Sequence, residues 1–208
     1  MSSKTYYKNL IIMSILWTNT VFSYNVLKFM TSHLEGNIFL NFYLDGISGI
    51  IGYCIASPSY IYLKFRWSLI ISILITLFFL TWLLVFEQQY LSSHWIESLG
   101  GPPSNEPEGS EKDNVHNLRI LVPILVFFTK IGINVAFLAL YTASFTEDII
   151  FPFYKRATST GICNFIARSI TIVAPLVAEI EKPTPIIILL CLNTVTFFVT
   201  FFIPSYHD

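Results

Sequence analysis

Three charged side chains interrupt the long apolar runs of this 208-residue sequence: Asp45, Lys130 and Arg168. A charge near the centre of a bilayer costs at least ~2.5–3.5 kcal/mol, so such residues are expected to bind a ligand or an opposite charge. Arg168 belongs to a stripe with spacings of three and four residues: Gly161, Asn164, Arg168, Thr171 and Pro175. That spacing places them on one helical face. We expect this face to line a ligand cavity, with an ion pair between Arg168 and Asp45 as the structural alternative.

Lys130 begins a comparable stripe, which continues through Asn134, Phe137 and Tyr141. An ammonium group beside an aromatic face can bind a carboxylate and an organic ring together. Because Lys130 lies in the first half of its apolar run, its side chain could instead extend to the outer headgroups. The first interpretation makes Lys130, Asn134 and Tyr141 candidate binding residues, and the second gives Lys130 no ligand.

Asp45 shares a helical face with small residues, namely Ser48, Gly49 and Gly52. Small residues allow helices to pack closely in membranes. Asp45 is therefore expected to pair with a cation, to relay a proton or to belong to a packing contact. Two polar residues of the first apolar segment, Asn19 and Tyr24, complete the candidate binding residues.

Several kinds of chemistry have no counterpart in the sequence. All four histidines lie in loops or at the ends of apolar runs, and no metalloprotease, serine hydrolase or nucleotide-binding motif is present. The three cysteines are far apart and match no metal or disulfide pattern. We therefore predict that the protein is not an enzyme and holds no metal or cofactor. Its net charge of −1 and the lack of a basic tract make nucleic acid an unexpected partner.

The elements that carry the candidate residues are apolar segments. Hydrophobic residues make up 54% of the chain and charged residues 12%, whereas ordinary globular domains are ~25% charged. A spanning helix needs roughly 20 apolar residues. Six segments meet this requirement, at about 9–28, 36–63, 67–87, 118–146, 157–178 and 183–204. We predict an all-α, multi-pass integral membrane protein, a single bundle of six transmembrane helices in a lipid bilayer.

The connections between these segments predict the topology. Short basic turns are expected at 64–66 and 155–156. The stretch 88–117 is rich in Gly, Pro and acidic residues, a composition typical of a flexible loop. Placing both termini in the cytoplasm puts the short basic turns on that side, in agreement with the positive-inside rule. We therefore expect cytoplasmic termini and an extracellular or lumenal 88–117 loop.

Polar residues follow a repeating pattern over the six segments. The third and sixth segments carry no charge and are expected to be apolar on all faces, as in helices that contact lipid. The other four each carry charged or polar residues. Two triplets, each of two polar helices followed by an apolar one, are the pattern expected of a 3+3 inverted repeat, in which substrates bind near the middle of the membrane.

Three stretches of the sequence resemble a known transporter family. Residues 36–42 read GNIFLNF, residues 130–133 read KIGI and are followed by Phe137 and Tyr141, and residues 151–175 match FP-x3-R-x4-G-x6-R-x5-AP. In this order they resemble helices eight, ten and eleven of the organic cation and anion transporters of the major facilitator superfamily. The resemblance implies that the chain corresponds to helices seven to twelve, one half of a major facilitator fold.

The resemblance also implies a function, the transport of small organic ions by alternating access. Arg168 would bind the ionised substrate, anions being favoured, and other candidates would help to line the site: Asn164, Lys130, Asn134, Tyr141, Asp45, Asn19 and Tyr24. Contacts that gate the cytoplasmic side are implied for a further set: Arg156, Glu147, Asp148, Lys64 and Arg66. The expected partner is a second six-helix half or another copy of the chain.

The alternative function is a non-transporting membrane interaction protein, or a transporter remnant. The family has a longer basic signature between helices eight and nine, and here only Lys64 and Arg66 correspond to it. This shortened turn favours the alternative, whereas the stripe around Arg168 favours transport.

Overall fold

The computed structural model describes residues 3–32, 38–98, 108–148, 150–180 and 183–203, with side chains for 4–31, 39, 42–88, 121–148, 150–180 and 183–203. All regular structure in these ranges is helical. The elements are α1 (Ser3–Ser32), α2 (Ile38–Ser98), α3 (Glu108–Thr146), a 3-10 turn (Phe153–Lys155), α4 (Arg156–Thr171), α5 (Ala174–Ala178) and α6 (Thr184–Thr200). The predicted all-α class is confirmed.

Within the described ranges, three helices are long and apolar enough to cross a bilayer. Their apolar stretches are Lys4–Thr31 in α1, Phe42–Gln88 in α2 and Leu121–Thr146 in α3, and α6 is apolar but shorter. These helices agree with the prediction of a membrane protein. The stretch in α2 has 47 residues, more than twice the roughly 20 residues that one crossing requires.

Helix α2 folds back on itself at Lys64. This residue has a φ of 60° and a ψ of 164°, outside the helical region. Ser59 and Ser68 lie on either side of it, and their hydroxyl oxygens are 3.4 Å apart. In a continuous helix, a separation of nine residues would place them ~13.5 Å apart along the axis. α2 therefore consists of two antiparallel arms, a first arm (38–63) and a second arm (65–98), which meet at the basic turn expected at 64–66.

Helix α3 packs against both arms of α2, with a glycine at each contact. A side-chain carbon added at Gly52 would lie 2.6 Å from Cβ of Asn134, and one added at Gly132 would lie 2.5 Å from Oγ1 of Thr76. Non-bonded atoms do not approach so closely, so both contacts depend on the missing side chain. The Ser72 hydroxyl also donates to the carbonyl oxygen of Gly132 at 3.1 Å. Small residues are what permits this close approach of membrane helices.

Helix α1 packs along α4 in the same direction. Near the start of both helices, the hydroxyl groups of Tyr6 and Ser159 are 2.8 Å apart. Further along both, the Ser14 hydroxyl lies 3.3 Å from Sγ of Cys163. The contacts advance together in sequence, so the two helices are parallel.

The second arm and α6, expected to be apolar on all faces, turn small polar residues inward. The buried polar residues are Ser68, Ser72 and Thr76 in the second arm and Asn193, Thr196 and Thr200 in α6. The expectation was therefore wrong for these two helices. A threonine hydroxyl can donate to the carbonyl four residues earlier in its own helix, as Thr76, Thr196 and Thr200 do. It therefore needs no partner on another helix.

Two predicted segments differ from the observed helices. α2 continues to Ser98 and α3 begins at Glu108, so helical backbone occupies both ends of the 88–117 stretch that we expected to be a loop. Residues 99–107 lie outside the described residues. The fifth predicted segment, 157–178, is formed by two helices, α4 and α5, which are interrupted at residues 172–173. The interruption precedes Pro175, which lacks the backbone N–H that a continuous helix requires.

Basic residues from distant parts of the sequence meet at one end of the bundle. Nζ of Lys155, before α4, lies 4.7 Å from the ring centre of Tyr6 in the first turns of α1. At the reversal of α2, Arg66 donates to the carbonyl oxygen of Phe201 at 3.3 Å, just after α6. The start of α1 and the end of α6 also line a common groove. The first residues of the described chain and its last therefore lie at the same end.

Candidate functional site

The charged residues of α2 and α3 meet in a buried ion pair. Nζ of Lys130 lies 2.6 Å from Oδ1 of Asp45, and their side chains are 2% and 14% exposed. The Lys130 side chain therefore does not extend to the headgroups, and Asp45 pairs with Lys130 rather than with Arg168. Removing one partner of such a pair leaves an uncompensated buried charge, at a typical cost of ~3–5 kcal/mol.

A small cavity adjoins this pair. Its volume is about 10 Å³, which is room for about one water molecule. The remaining walls come from α1, the first arm of α2 and α3: Thr31, Leu44, Pro123, Val126 and Phe127. An organic ion does not fit in this cavity, so the Lys130–Asp45 pair is closed to such a ligand in this conformation.

Three buried hydrogen-bond donors have no partner among the described residues. They are Nδ2 of Asn134, Nε1 of Trp17 and the hydroxyl of Thr160, in residues that are 3%, 2% and 8% exposed. A buried donor without an acceptor costs about 1–3 kcal/mol. Each is therefore a position at which a water or a ligand oxygen would be stabilising.

The Trp17 indole belongs to a group of three aromatic rings. Its ring centre lies 6.0 Å from that of Phe137 and 6.3 Å from that of Tyr141. Tyr141 is 48% exposed, so this aromatic group extends from the interior to the surface of the bundle. Tyr141 was a predicted binding residue, and Trp17 was missed because it was counted with the apolar residues of α1. Its position directly before the polar residues 18–20 is the signal that could have identified it.

Arg168 lies on the exposed side of α4. The other side of this helix is buried: Ser159, Thr160, Cys163 and Ala167. Arg168 is exposed, and Asn164, one turn earlier, is half-buried. Arg168 has no ion pair or hydrogen bond of its side chain within the described ranges. In a bilayer this guanidinium requires water, an anion or another protein surface, since hydrocarbon does not solvate it.

Asn19 and Tyr24 occupy different surroundings in α1. Asn19 is buried and donates to Oδ1 of Asn193 in α6 at 3.0 Å, and the Asn193 amide donates to Ser23 at 3.2 Å. Asn19 is thus part of a polar packing contact between α1 and α6. Tyr24 is half-buried and close enough to Asp45 to interact with it electrostatically. The structure brings Tyr24 towards the Lys130–Asp45 pair and places Asn19 elsewhere.

The predicted gating residues form two separate contacts at the end of α3. Nη2 of Arg156 lies 2.6 Å from Oδ1 of Asp148, and Nη1 donates to the carbonyl oxygen of Phe145 at 2.5 Å. Glu147 instead accepts a hydrogen bond from the Tyr60 hydroxyl at 2.8 Å. The sequence left Glu147 and Asp148 open as partners of Arg156, and the structure selects Asp148. Tyr60 was missed because its partner is 87 residues away in the sequence.

The other two predicted gating residues lie in the turn of α2. Lys64 is exposed and supplies the non-helical φ of the reversal. Arg66 donates to the carbonyl oxygen of Phe201, and its guanidinium lies 5.9 Å from the centre of the Phe201 ring. In the described part of the chain these contacts join α2 to α6, and they are separate from the Arg156–Asp148 pair.

Comparisons with known proteins give no family assignment. No protein-family model matches the chain, and no curated protein is significantly similar to it in sequence. The resemblance to organic ion transporters therefore depends on the short motifs at 36–42, 130–141 and 151–175 alone, and it stays a prediction.

Proposed function

We propose that this chain is one half of a transporter that moves small organic ions across a membrane by alternating access. The observation that carries the proposal is Arg168, an exposed arginine on the unburied side of α4 with no partner in the described part of the chain. A charge near the bilayer centre costs at least ~2.5–3.5 kcal/mol. A binding site for an anionic ligand accounts for this arginine, because the ligand supplies the missing counter-charge.

The proposed architecture is six membrane crossings, with the two triplets related as in one half of a major facilitator fold. Support comes from the two antiparallel arms of α2, which provide two crossings. The other four would be α1, α3, the α4–α5 pair and α6. The basic residues at one end of the bundle support cytoplasmic termini. A second six-helix half, or another copy of the chain, would cover the side of α4 that carries Arg168.

In the proposed mechanism, the substrate binds between Arg168 and the aromatic group. Two parallel hydrogen bonds from a guanidinium hold a carboxylate in a fixed orientation. Asn164 lies one turn away, and the exposed ring of Tyr141 can contact the organic part of the substrate. Organic anions are the favoured substrate class, because Lys130 and Asp45 neutralise each other and leave Arg168 as the net charge of the site.

Alternating access requires contacts that form in one state and break in the other. The Arg156–Asp148 pair and the Tyr60–Glu147 hydrogen bond suit this role, because both anchor the end of α3 to neighbouring helices. Asp148 is mostly exposed, and the buried Arg156 also donates to the carbonyl oxygens of Phe145 and Phe151, so its guanidinium keeps hydrogen-bond partners when Asp148 leaves. Such a contact can open during each cycle without a large barrier.

Uptake of a labelled organic anion into vesicles that contain the protein tests the proposal. We expect Arg168→Ala to lower uptake about tenfold or more, because a hydrogen bond to a charged group is worth ~1.5–3 kcal/mol. Arg168→Lys should retain part of the activity. Ser169→Ala, the exposed neighbouring position, is the matched control and should transport like the wild type. Equal uptake by the wild type and Arg168→Ala would remove Arg168 from the mechanism.

One observation favours a second candidate, a membrane interaction protein that does not transport. The cavity at the Lys130–Asp45 pair has a volume of only about 10 Å³, so these two buried charges have no room for an organic ion beside them. In this case the Arg168 side of α4 would contact another membrane protein. The same uptake experiment separates the two candidates, because absence of uptake by the wild type supports the second.

A further inference from the structure

An open groove runs between the first turns of α1 and the end of α6, on a part of the molecule that the proposed transport site does not use. Its volume is about 500 Å³, within the ~300–1,000 Å³ typical of ligand pockets. The lining residues are Lys8, Ile11, Ile12, Ile15, Val199 and Phe202. The groove is therefore large enough for a ligand, and all of its walls except one are apolar.

The apolar walls of the groove face outward from the bundle. Ile11, Ile15 and Phe202 are exposed large hydrophobic residues. Within a bilayer such side chains contact lipid tails or another protein, because the hydrocarbon region holds no water to solvate a polar ligand. The lining residues follow two neighbouring helices, from Lys8 to Ile15 on α1 and from Val199 to Phe202 at the end of α6, an arrangement that suits an extended hydrocarbon chain.

Lys8 gives the groove a charge at one end only. It is exposed and forms no ion pair with any residue that the structure describes. It directly precedes the first apolar segment, so its ammonium group can reach the headgroup level. Arg66 lies at the same end of the bundle, but its guanidinium is bound to the carbonyl oxygen of Phe201, so Lys8 supplies the charge of the groove lining.

We propose that this groove binds an anionic phospholipid, with one acyl chain between α1 and α6 and the phosphate at Lys8. A phospholipid matches the groove because it also carries its charge at one end of an apolar chain. A transmembrane helix from a partner protein would need a carboxylate beside Lys8 to match it, whereas an anionic phospholipid carries its phosphate at the headgroup level that Lys8 can reach. Basic pockets between membrane helices are known to select anionic headgroups. The proposal does not depend on transport.

Native mass spectrometry of the full chain tests the charge at Lys8. The probes are phosphatidylglycerol and phosphatidylcholine with the same acyl chains, added to protein purified in a neutral detergent. We expect phosphatidylglycerol to bind about fivefold more tightly, the preference typical of one basic residue near the membrane surface. Lys8→Gln should abolish this preference. Lys4→Gln, one turn earlier and outside the groove lining, is the matched control and should keep it.

A second variant tests the groove itself. Ile11→Trp would fill the groove with a larger side chain, so we expect it to weaken the binding of both lipids. Ile50→Trp, at an exposed position of α2, is the control for a new surface tryptophan. Equal binding of the two lipids by the wild type would overturn the proposal, as would a preference that survives Lys8→Gln. Equal losses in Lys8→Gln and Lys4→Gln, or unchanged binding by Ile11→Trp, would also overturn it.

Discussion

Lys130 and Arg168 carry the same charge in opposite surroundings. Lys130 is buried and paired with Asp45 on the first arm of α2, whereas Arg168 is exposed and has no partner among the described residues. The pair fixes the first arm against α3, and the unpaired cation is the one that can bind an anionic ligand. The sequence could not distinguish these roles, because Lys130 and Arg168 each belong to a polar stripe of similar spacing. The partner of Lys130 is also 85 residues away.

At the scale of single residues, we expect Asp45→Asn to lower the free energy of unfolding by ~3–5 kcal/mol, because Lys130 would keep a buried charge without a counter-ion. The double variant Asp45→Leu, Lys130→Met replaces both charges with apolar side chains and should recover most of this loss. Denaturation midpoints of the protein in detergent measure both effects.

Asp148→Asn is the control for loss of a carboxylate in an ion pair. Asp148 is mostly exposed, and Arg156, which is itself mostly buried, keeps its hydrogen bonds to the carbonyl oxygens of Phe145 and Phe151. Loss of the Asp148 carboxylate should therefore change the free energy of unfolding by no more than ~1 kcal/mol. If the double variant Asp45→Leu, Lys130→Met were as unstable as Asp45→Asn, the loss of stability in Asp45→Asn would not come from the unpaired charge of Lys130, and this interpretation would be contradicted.

Individual helices were easier to predict than the faces they present. The reversal of α2 was expected at 64–66, because basic residues between two apolar runs favour a turn at the membrane surface. The inward polar faces of the second arm and α6 were missed, since a hydroxyl bonded to its own helix is compatible with either a buried or a lipid-facing position. The glycine contacts of α3 depend on which helix lies opposite, and that information is not local in the sequence.

At the scale of helix pairs, we expect Gly52→Ala to weaken the contact between the first arm of α2 and α3. The added carbon would lie 2.6 Å from Cβ of Asn134, an atom that moves only with its backbone. Overpacking of this kind costs typically ~1–3 kcal/mol, which thermal unfolding would detect. Gly49→Ala is the matched control on the same arm, because nothing lies within 4 Å of the added carbon. Equal thermal midpoints for the two variants would contradict the close contact.

For the whole molecule, the sequence predicted the number of apolar segments and the structure adds their relative directions. α1 and α4 are parallel, the two arms of α2 are antiparallel, and the described chain starts and finishes at one end of the bundle. These directions agree with the even number of membrane crossings that we propose. The packing partners were beyond prediction, because the contacts of α1 with α4 and α6 join distant parts of the sequence.

Cysteine labelling in sealed vesicles tests the proposed six crossings. In a chain with its three native cysteines replaced by alanine, we expect Ser2→Cys and Asp208→Cys to react with a membrane-impermeant maleimide from the same side. Asn105→Cys should react from the opposite side, because three crossings would separate it from Ser2. Labelling of Ser2→Cys and Asp208→Cys from opposite sides would require an odd number of crossings and would contradict the six-crossing arrangement.

The polar contacts of α1 also set an order of assembly. Tyr6, Ser14 and Asn19 bond to residues 153, 149 and 174 positions later in the chain, whereas Ser72 bonds to a residue only 60 positions away. At translation rates of ~5–20 residues per second, α2 and α3 can pack soon after α3 is made, but the polar partners of α1 in α4 and α6 are made only roughly 10–30 s after α1 itself. During that interval the serine and asparagine side chains of α1 need other hydrogen-bonding partners, which the insertion machinery or other membrane proteins would have to supply.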